Sequence, residues 1–273
     1  MDKWLIAIII SLLCSCTSIR TTRNGVGRIK KIEFRHKDIP GSFDDFKIVF
    51  LTDFHYQSLF TNKKLKRLIQ TVNKLHPDLI LLGGDYHAGC QYVPELFANI
   101  ANIKSNYGVM AIMGNHDYNA CYQEIVESMN MHHIHLLEHQ ADTIKINNDQ
   151  IIIAGIRNPF DLETNGYSPT LDLSAEDFVI LLTHTPDYVE DVPITNTDLA
   201  LAGHTHGGQI TLFGIYAPIT NSKYGQRFRS GLKENSAGIP IIISNGLGTS
   251  RKNMRLFAPS DLILIKLKKV PDT

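Results

Sequence analysis

The chain has 273 residues, 43% of them hydrophobic and 20% charged, enough apolar material for a full-sized core and too much for a disordered or fibrous protein. Its 27 Lys and Arg cancel 27 Asp and Glu, so no net field draws it to nucleic acid and no nucleic-acid partner is expected, although a local basic patch is compatible with that balance. Twelve histidines make metal binding the first question, because imidazole ligates metals and titrates near neutrality.

Trp4 to Leu13 is apolar except for Ser11. A bilayer-spanning helix needs about 20 such residues and the core of an export signal about 7 to 15, so residues 1–15 are expected to be a signal peptide of the lipoprotein type. Leu13-Cys14-Ser15-Cys16 resembles the lipobox of bacterial lipoproteins. That resemblance implies an exported envelope lipoprotein with Cys16 as its lipidated first residue; Cys14 inside the box and the single Lys3 depart from the usual pattern. An uncleaved membrane anchor is the alternative, and either one tethers the protein to a membrane. Residues 16–28 read as a polar tether and 29–273 as one domain, expected to be monomeric. Cys90 and Cys121 are the other thiols; a disulfide in an oxidising compartment and two separate buried cysteines both remain open.

Arg28 to Lys37 alternates as an opening strand. Lys47 to Thr52 is an apolar strand, followed by Leu65, Leu68, Ile69, Val72 and Leu75 at helical spacing up to Pro77. Leu79 to Leu82, a helix near Glu95 to Lys104, the strand Val109 to Met113 and a helix around Gln123 to Met129 continue the rhythm of a βαβ sheet buried on both faces. The second half is crowded with strands: Asp142 to Ile146, Gln150 to Ile156, Phe178 to Leu182, Leu199 to Ala202, Gln209 to Phe213, Pro240 to Ser244 and Leu262 to Leu267. Short helices fit near Ala175 and Asp187, and the whole predicts two packed sheets with helices outside.

Five apolar strands end in polar clusters: Thr52-Asp53-Phe54-His55, Gly83-Gly84-Asp85, Gly114-Asn115-His116-Asp117, Thr183-His184 and Gly203-His204-Thr205-His206. Ligands gather beyond the carboxyl ends of strands in α/β sheets, so these tips are expected to converge on one crevice. Asp53, His55, Asp85, Asn115, His184, His204 and His206 offer only oxygen and imidazole nitrogen, which suits Mn, Fe or Zn, with manganese favoured. Seven groups exceed the roughly four to six ligands of one ion, so two divalent ions sharing a carboxylate are expected. Singly, an Asp-x-His or His-x-His is an ordinary turn or exposed pair; together, several polar groups buried in one crevice would be costly without a ligand. His36, His76, His132, His133, His135 and His139 read as solvated or structural, whereas His87 is expected to face the crevice and touch substrate.

This order of motifs resembles the calcineurin-like metallophosphoesterase superfamily over Lys47 to about Leu267. The resemblance implies an α/β fold of four layers, α/β/β/α, in which two packed mixed sheets are flanked by helices. It also implies Asp53, His55 and His206 around one metal, Asn115, His184 and His204 around a second, and Asp85 bridging them. His116 would be a catalytic, non-ligand histidine near the leaving group, oriented by Asp117. Gly203 to Gln209, Ile243 to Thr249 and Arg255-Leu256-Phe257 are similar to a membrane-associated bacterial branch that includes phosphodiesterases and a UDP-diacylglucosamine pyrophosphatase. Asn245 stands where that branch often has Arg, which puts the substrate contact there in question.

The expected function is cleavage of a phosphodiester or pyrophosphate bond, on a lipid-linked or envelope substrate, by a hydroxide bridging two metals. His116 would protonate or stabilise the leaving oxygen. Arg227, Arg229, Arg251, Lys252 and Arg255 are candidates for holding substrate phosphates, against the alternative of a solvated basic face. Two rivals are a catalytically silent metal-binding scaffold of the same fold and a non-phosphate dinuclear hydrolase such as an amidohydrolase; the first usually lacks ligands and the second fits this motif order poorly.

Overall fold

A computed structural model describes residues 26–270; the expected signal segment and most of the tether lie outside them. Period-two alternation divides the apolar strands between two cores. Strand β2 (Lys47–Leu51) sends Ile48 and Phe50 into a core between two sheets, and Val49 and Leu51 toward helices. Strand β3 (Leu79–Leu82) repeats this with Leu79 and Leu81 on the inner face and Ile80 and Leu82 on the outer. Both faces are covered, which is why these strands are continuous apolar runs.

The first sheet has the order β1 (Arg28–His36), β12 (Asp261–Lys269), β2, β3, β4 (Val109–Ala111), β5 (His135–Leu136). It is mixed: β12 runs parallel to β1 and antiparallel to β2, and the remaining pairs are parallel. Helices α1 (Asn62–Asn73), α2 (Val93–Ile100) and, after the short α3 (Asn115–Asn119), α4 (Tyr122–Met131) cover its outer face; α1 buries Leu65, Leu68, Ile69 and Val72, the stripe read from the sequence.

The second sheet has the order β10 (Gly231–Glu234), β11 (Pro240–Ile243), β9 (Leu199–Ala202), β8 (Phe178–Leu182), β7 (Asp149–Gly155), β6 (Gln140–Ile146), with β10 and β6 antiparallel to their neighbours. Phe178, Ile180, Leu182, Leu199 and Leu201 meet the first sheet's inner face. The fourth layer is thin: the single turn α6 (Tyr188–Asp191), with Val192, Ile194 and Phe228, covers the outer face of β8, β9 and β11. Two mixed sheets flanked by helices are thus present as expected.

Local differences have local causes. The strand expected at Gln209 to Phe213 is a loop, because Gln209 and Phe213 take φ of 53° and 54°, and Gly208 and Gly214 are left-handed too. Such frequent turning leaves only isolated bridges from Ile210 to Leu256 and Phe257 and from Leu212 to Tyr216. β10, too short and polar to be read, forms the sheet edge instead. No helix forms at Ala175; the helical turns nearby are α5 (Leu162–Asn165), whose Asp161 side chain accepts from Thr164 N, and a 3-10 turn at Pro169–Asp172. Helix α2 ends at Ile100, before the expected Lys104.

Cys90 and Cys121 form a disulfide, with Cα atoms 5.3 Å apart across 31 residues of chain. It ties the segment after β3 to the start of α4. Constraint of the unfolded chain by a loop of this length is worth about 3 to 4 kcal/mol.

Candidate metal centre

The carboxyl ends of β2, β3 and β4 in one sheet and of β8 and β9 in the other meet at one edge of the sandwich. Backbone bonds lace the first group together: Asp53 N donates to Gly84 O at 2.9 Å, and His55 N to Asp85 O at 3.0 Å. Side chains join the two sheets, with His184 Nδ1 2.7 Å from Gly83 O and His204 N donating to Asp53 Oδ2 at 3.0 Å.

Five of the seven expected ligands sit in the left-handed backbone region: Asp53, His55, Asp85, His204 and His206, with φ from 37° to 67°. Each such conformation costs a non-glycine residue about 1 to 3 kcal/mol, and such strain concentrates where geometry serves a site. Two glycines make the approach possible. A Cβ at Gly114 would collide with the Asp85 carboxylate and the His184 ring, and one at Gly203 with Asp53 and Thr52.

The ligand atoms form overlapping groups. Asp53, His55 and His206 offer atoms within 4.8 Å of one another, as do Asp85, His184 and His204. Asp85 Oδ2 lies 3.4 Å from His55 Nε2 and 3.3 Å from His184 Nε2, between the two groups. His206 Nε2 lies 3.3 Å from Asp53 Oδ1 and 3.2 Å from His55 Nε2. Asn115 Oδ1 is buried without a hydrogen-bond partner, and His184 Nε2 is buried with no well-formed hydrogen bond, only the ionic contact with Asp85 Oδ2 at 3.3 Å. Orphaned polar atoms of this kind are costly, and a divalent cation would satisfy both. The donors are hard oxygens and imidazoles, so the residues fit such an ion. His184 Nδ1–H donates to the Gly83 carbonyl, which aims Nε2 inward at Asp85, where a cation would displace the Nε2 proton and take its lone pair.

Electrostatics follow from burial and crowding. Burial works against ionisation of Asp85, yet His184 and His55 hold its carboxyl well below the usual range. His184 is carried up to about 10 by Asp85 despite burial. Burial pushes Asp53 up, His204 down to about 3 and His206 well below its ordinary value, the last aided by the Arg255 charge. A dicationic ligand would compensate the paired carboxylates that now depend on protonated imidazoles.

His116 is half-buried beside the centre, its ring edge-on to His55 with centroids 4.9 Å apart and its backbone N donating to Asp85 Oδ1 at 3.0 Å. Asp117 is placed differently from expectation. Its carboxylate accepts from Asp85 N at 2.7 Å, Gly114 N at 2.8 Å and Tyr86 N at 3.0 Å, and not from the His116 ring. It therefore braces the loop that carries Asp85. Burial, then the Asp85 charge, pushes its pKa up to about 7. His87 also turns away: Nε2 faces Ala120 O at 3.2 Å, Nδ1 faces Cys121 Sγ at 3.5 Å, and it does not line the cleft.

The cleft has a volume of about 250 Å³ and is lined by Asp85, His116, His206, Asn221, Ser250 and Arg251, together with Asn115 and His204. Asn221 and Ser250 carried no signal in sequence, being isolated loop residues. Phe160, on the loop after β7, stands edge-on to His204 at 5.0 Å and was equally silent. Of the five basic candidates only Arg251 lines the cleft. Arg227 pairs with Glu190 at 3.0 Å, and Arg229 donates to Gly214 O at 2.9 Å. Arg255 is a brace: it donates to His206 O at 3.0 Å, to Asn245 O at 2.6 Å and to Gly248 O at 2.6 Å, and its Nη2 lies 3.2 Å from His206 Nδ1. Asn245 packs beneath Gly207, donates to Pro259 O at 2.9 Å and lines no part of the cleft. The other histidines lie elsewhere, His135 against Asp142 at 2.8 Å, His139 against Tyr167 O at 2.6 Å and His36 between Asp38 and Asp198.

The family model for the calcineurin-like phosphoesterases matches residues 46–208. An uncharacterized metallophosphoesterase of Bacillus subtilis is 31% identical over 84% of this chain and 82% of its own length. Another, of Campylobacter jejuni, is 31% identical over 85% of this chain, which spans 61% of that relative's length. A transmembrane protein with a metallophosphoesterase domain, from Danio rerio, is 26% identical over 89% of this chain and 57% of its own. Among solved structures, a 5'-nucleotidase precursor from Thermus thermophilus superimposes with a TM-score of 0.50 at 12% identity, over 81% of this chain and 54% of that one, a likeness of fold. With its family model matched over more than half of its length and its ligand-bearing loops assembled at one sheet edge, the chain belongs to the calcineurin-like phosphoesterase family.

Proposed function

We propose that the protein is a dinuclear metal-dependent phosphohydrolase that cleaves a phosphodiester or pyrophosphate bond. The observation that carries this reading is Asp85 between two groups of ligand atoms, with Asn115 Oδ1 buried and unsatisfied beside it and His184 Nε2 facing it at 3.3 Å. Asp53, His55 and His206 would hold one ion and Asn115, His184 and His204 the other, with Asp85 shared. Such ions supply Lewis-acid stabilisation of phosphoryl charge and an activated water at neutral pH. His116, at the cleft wall, supplies a proton to the leaving oxygen; burial lowers its pKa, so an anionic phosphoryl group nearby helps it keep that proton. Arg251, at the rim, would engage a further phosphate oxygen or neighbouring group.

A lipid-linked substrate at the outer face of a membrane is favoured by three observations. The apolar run Trp4 to Leu13 suits an export signal or anchor. The Cys90–Cys121 disulfide suits an oxidising compartment. One relative is named as a transmembrane protein. Among the described residues no helix is long and apolar enough to cross a membrane, so attachment would fall to the segment before them.

Hydrolysis of an aryl phosphodiester, compared with the monoester and with added Mn²⁺, tests the reading. Metal-dependent diester turnover supports it; metal-loaded protein inert toward diester, monoester and pyrophosphate alike would leave a silent scaffold.

A further inference from the structure

Between Asp198 and Asp261 the sequence carries seven bases (Lys223, Arg227, Arg229, Lys233, Arg251, Lys252, Arg255) and one acid, Glu234. In a chain of zero net charge this is a local asymmetry. Its bases are not all available: Lys223 pairs with Asp191, Arg227 with Glu190, and Arg255 is buried. Arg251, which lines the cleft, and Lys252, next to it in the chain, remain exposed.

The same stretch exposes most of the large apolar side chains that reach the surface among the described residues. Leu212, Phe213, Ile215, Tyr216 and Ile219 are all more than half exposed, Phe213 at 71% and Ile215 at 80%. Phe257 joins them, its ring 5.7 Å from that of Phe213, and Met254, three residues before it, is also half exposed. An apolar group of this size on one face marks an interaction site. The loop is held in shape: Leu212 N donates to Tyr216 O at 2.7 Å, Thr211 N to Leu256 O at 3.0 Å, and Arg229 to Gly214 O at 2.9 Å. Its ends adjoin the centre, since Asn221, Ser250 and Arg251 line the cleft.

The chain also enters here. Arg28 N donates to Ser260 O at 2.8 Å, so the chain enters the first sheet beside a residue three positions after Phe257. The apolar run Trp4 to Leu13 precedes it by residues 14–25, which reach about 40 Å at most. Large apolar side chains, exposed cations and a nearby apolar leader fit one occupant, an anionic lipid surface. A second copy fits less well, because it would set the same cations against each other.

We propose that the loop 212–219, with Met254, Phe257 and Lys252, docks on an anionic bilayer and seats the metal cleft at the headgroup level. This rests on the membrane-facing reading above and adds how substrate is presented to the site.

Trp4 is the single tryptophan, so the full chain carrying Trp4→Phe and Phe213→Trp reports from the loop alone. In phosphatidylcholine–phosphatidylglycerol vesicles with brominated acyl chains, its emission is expected to shift blue and be quenched. Quenching is expected to fall in neutral vesicles and with Lys252→Glu. The indole introduced by Met131→Trp at the end of α4 should stay unquenched. Vesicle-bound protein whose loop indole stays unquenched overturns the proposal, as does concentration-dependent dimerisation abolished by Ile215→Ser without quenching. Aryl phosphodiester hydrolysis on the same samples separates the two readings. Quenching without turnover discards the hydrolase and keeps the docking; turnover without quenching does the reverse.

Discussion

His184 Nδ1 stands 2.7 Å from the Gly83 carbonyl oxygen, so a ring at the end of β8 is oriented by the backbone that follows β3 in the opposite sheet. This single bond couples the packing of the sandwich to the direction of a lone pair. The metal centre is therefore a property of how the two sheets meet, and not of either one.

His116→Ala removes a ring that lines the cleft with a nitrogen within 4.8 Å of ligand atoms of His55 and Asp85 but no hydrogen bond from the ring to either, so it stands beside the proposed ligands and not among them. The variant is expected to retain wild-type metal content and to lose about 10²- to 10⁴-fold in turnover, the range of a general acid. Metal analysis with kcat on an aryl phosphodiester checks this; loss of one metal would make His116 a ligand.

Asp117→Asn should act through the loop. Its carboxylate takes three buried backbone amides, and the amide substitution turns one acceptor into a donor facing N–H groups. Urea unfolding is expected to show a loss of about 1 to 3 kcal/mol, the cost of leaving a buried group unsatisfied, together with weaker metal retention. Unchanged stability with a selective loss of turnover would restore the role of orienting His116.

Cys90→Ser with Cys121→Ser should lower stability by about 3 to 4 kcal/mol, and reductant should do the same to the wild type but nothing to the variant. Because the bridge clips the segment after β3 to the start of α4, the metals should also be lost at lower urea concentration. Coincident unfolding and metal-loss curves in both proteins would show that the clip does not support the site.

Metal uptake should release protons. In the metal-free protein His184 is raised to about 10, chiefly against burial by Asp85, so near neutrality it binds a proton that a cation must displace. Apparent affinity is expected to rise with pH between about 6 and 9, read by titration calorimetry in buffers of different ionisation enthalpy. The metal-free fold has the opposite sensitivity. A raised His184 pKa stabilises it below the unfolded value near 6.5, and that contribution fades as pH rises through about 10. The depressed Asp85 pKa contributes above the unfolded carboxyl value and is lost as pH falls below it.

The strand ends were legible because an apolar run that stops at Asp53, Asp85 or His184 has spent its burial pattern and offers polar atoms at one place. Two-sided burial of β2 and β3 likewise follows from unbroken apolar runs. The loop from Gln209 to Phe213 was not legible: Ile210, Leu212 and Phe213 carry strand-like side chains, but left-handed backbone at 209 and 213 decides the conformation and exposes Leu212 and Phe213. Asp117 and Arg255 were misplaced because proximity to a motif in sequence says nothing of which backbone groups a side chain will satisfy. The disulfide could not be chosen over two buried thiols without the distance between Cys90 and Cys121.

Metal analysis of the purified wild type beside Asp85→Asn tests the dinuclear centre most directly. Two divalent ions per chain in the wild type, and loss of both from the variant with nearly all diester turnover, are expected. A wild type without stoichiometric metal, or a variant that keeps both ions and its activity, would contradict a centre built around Asp85.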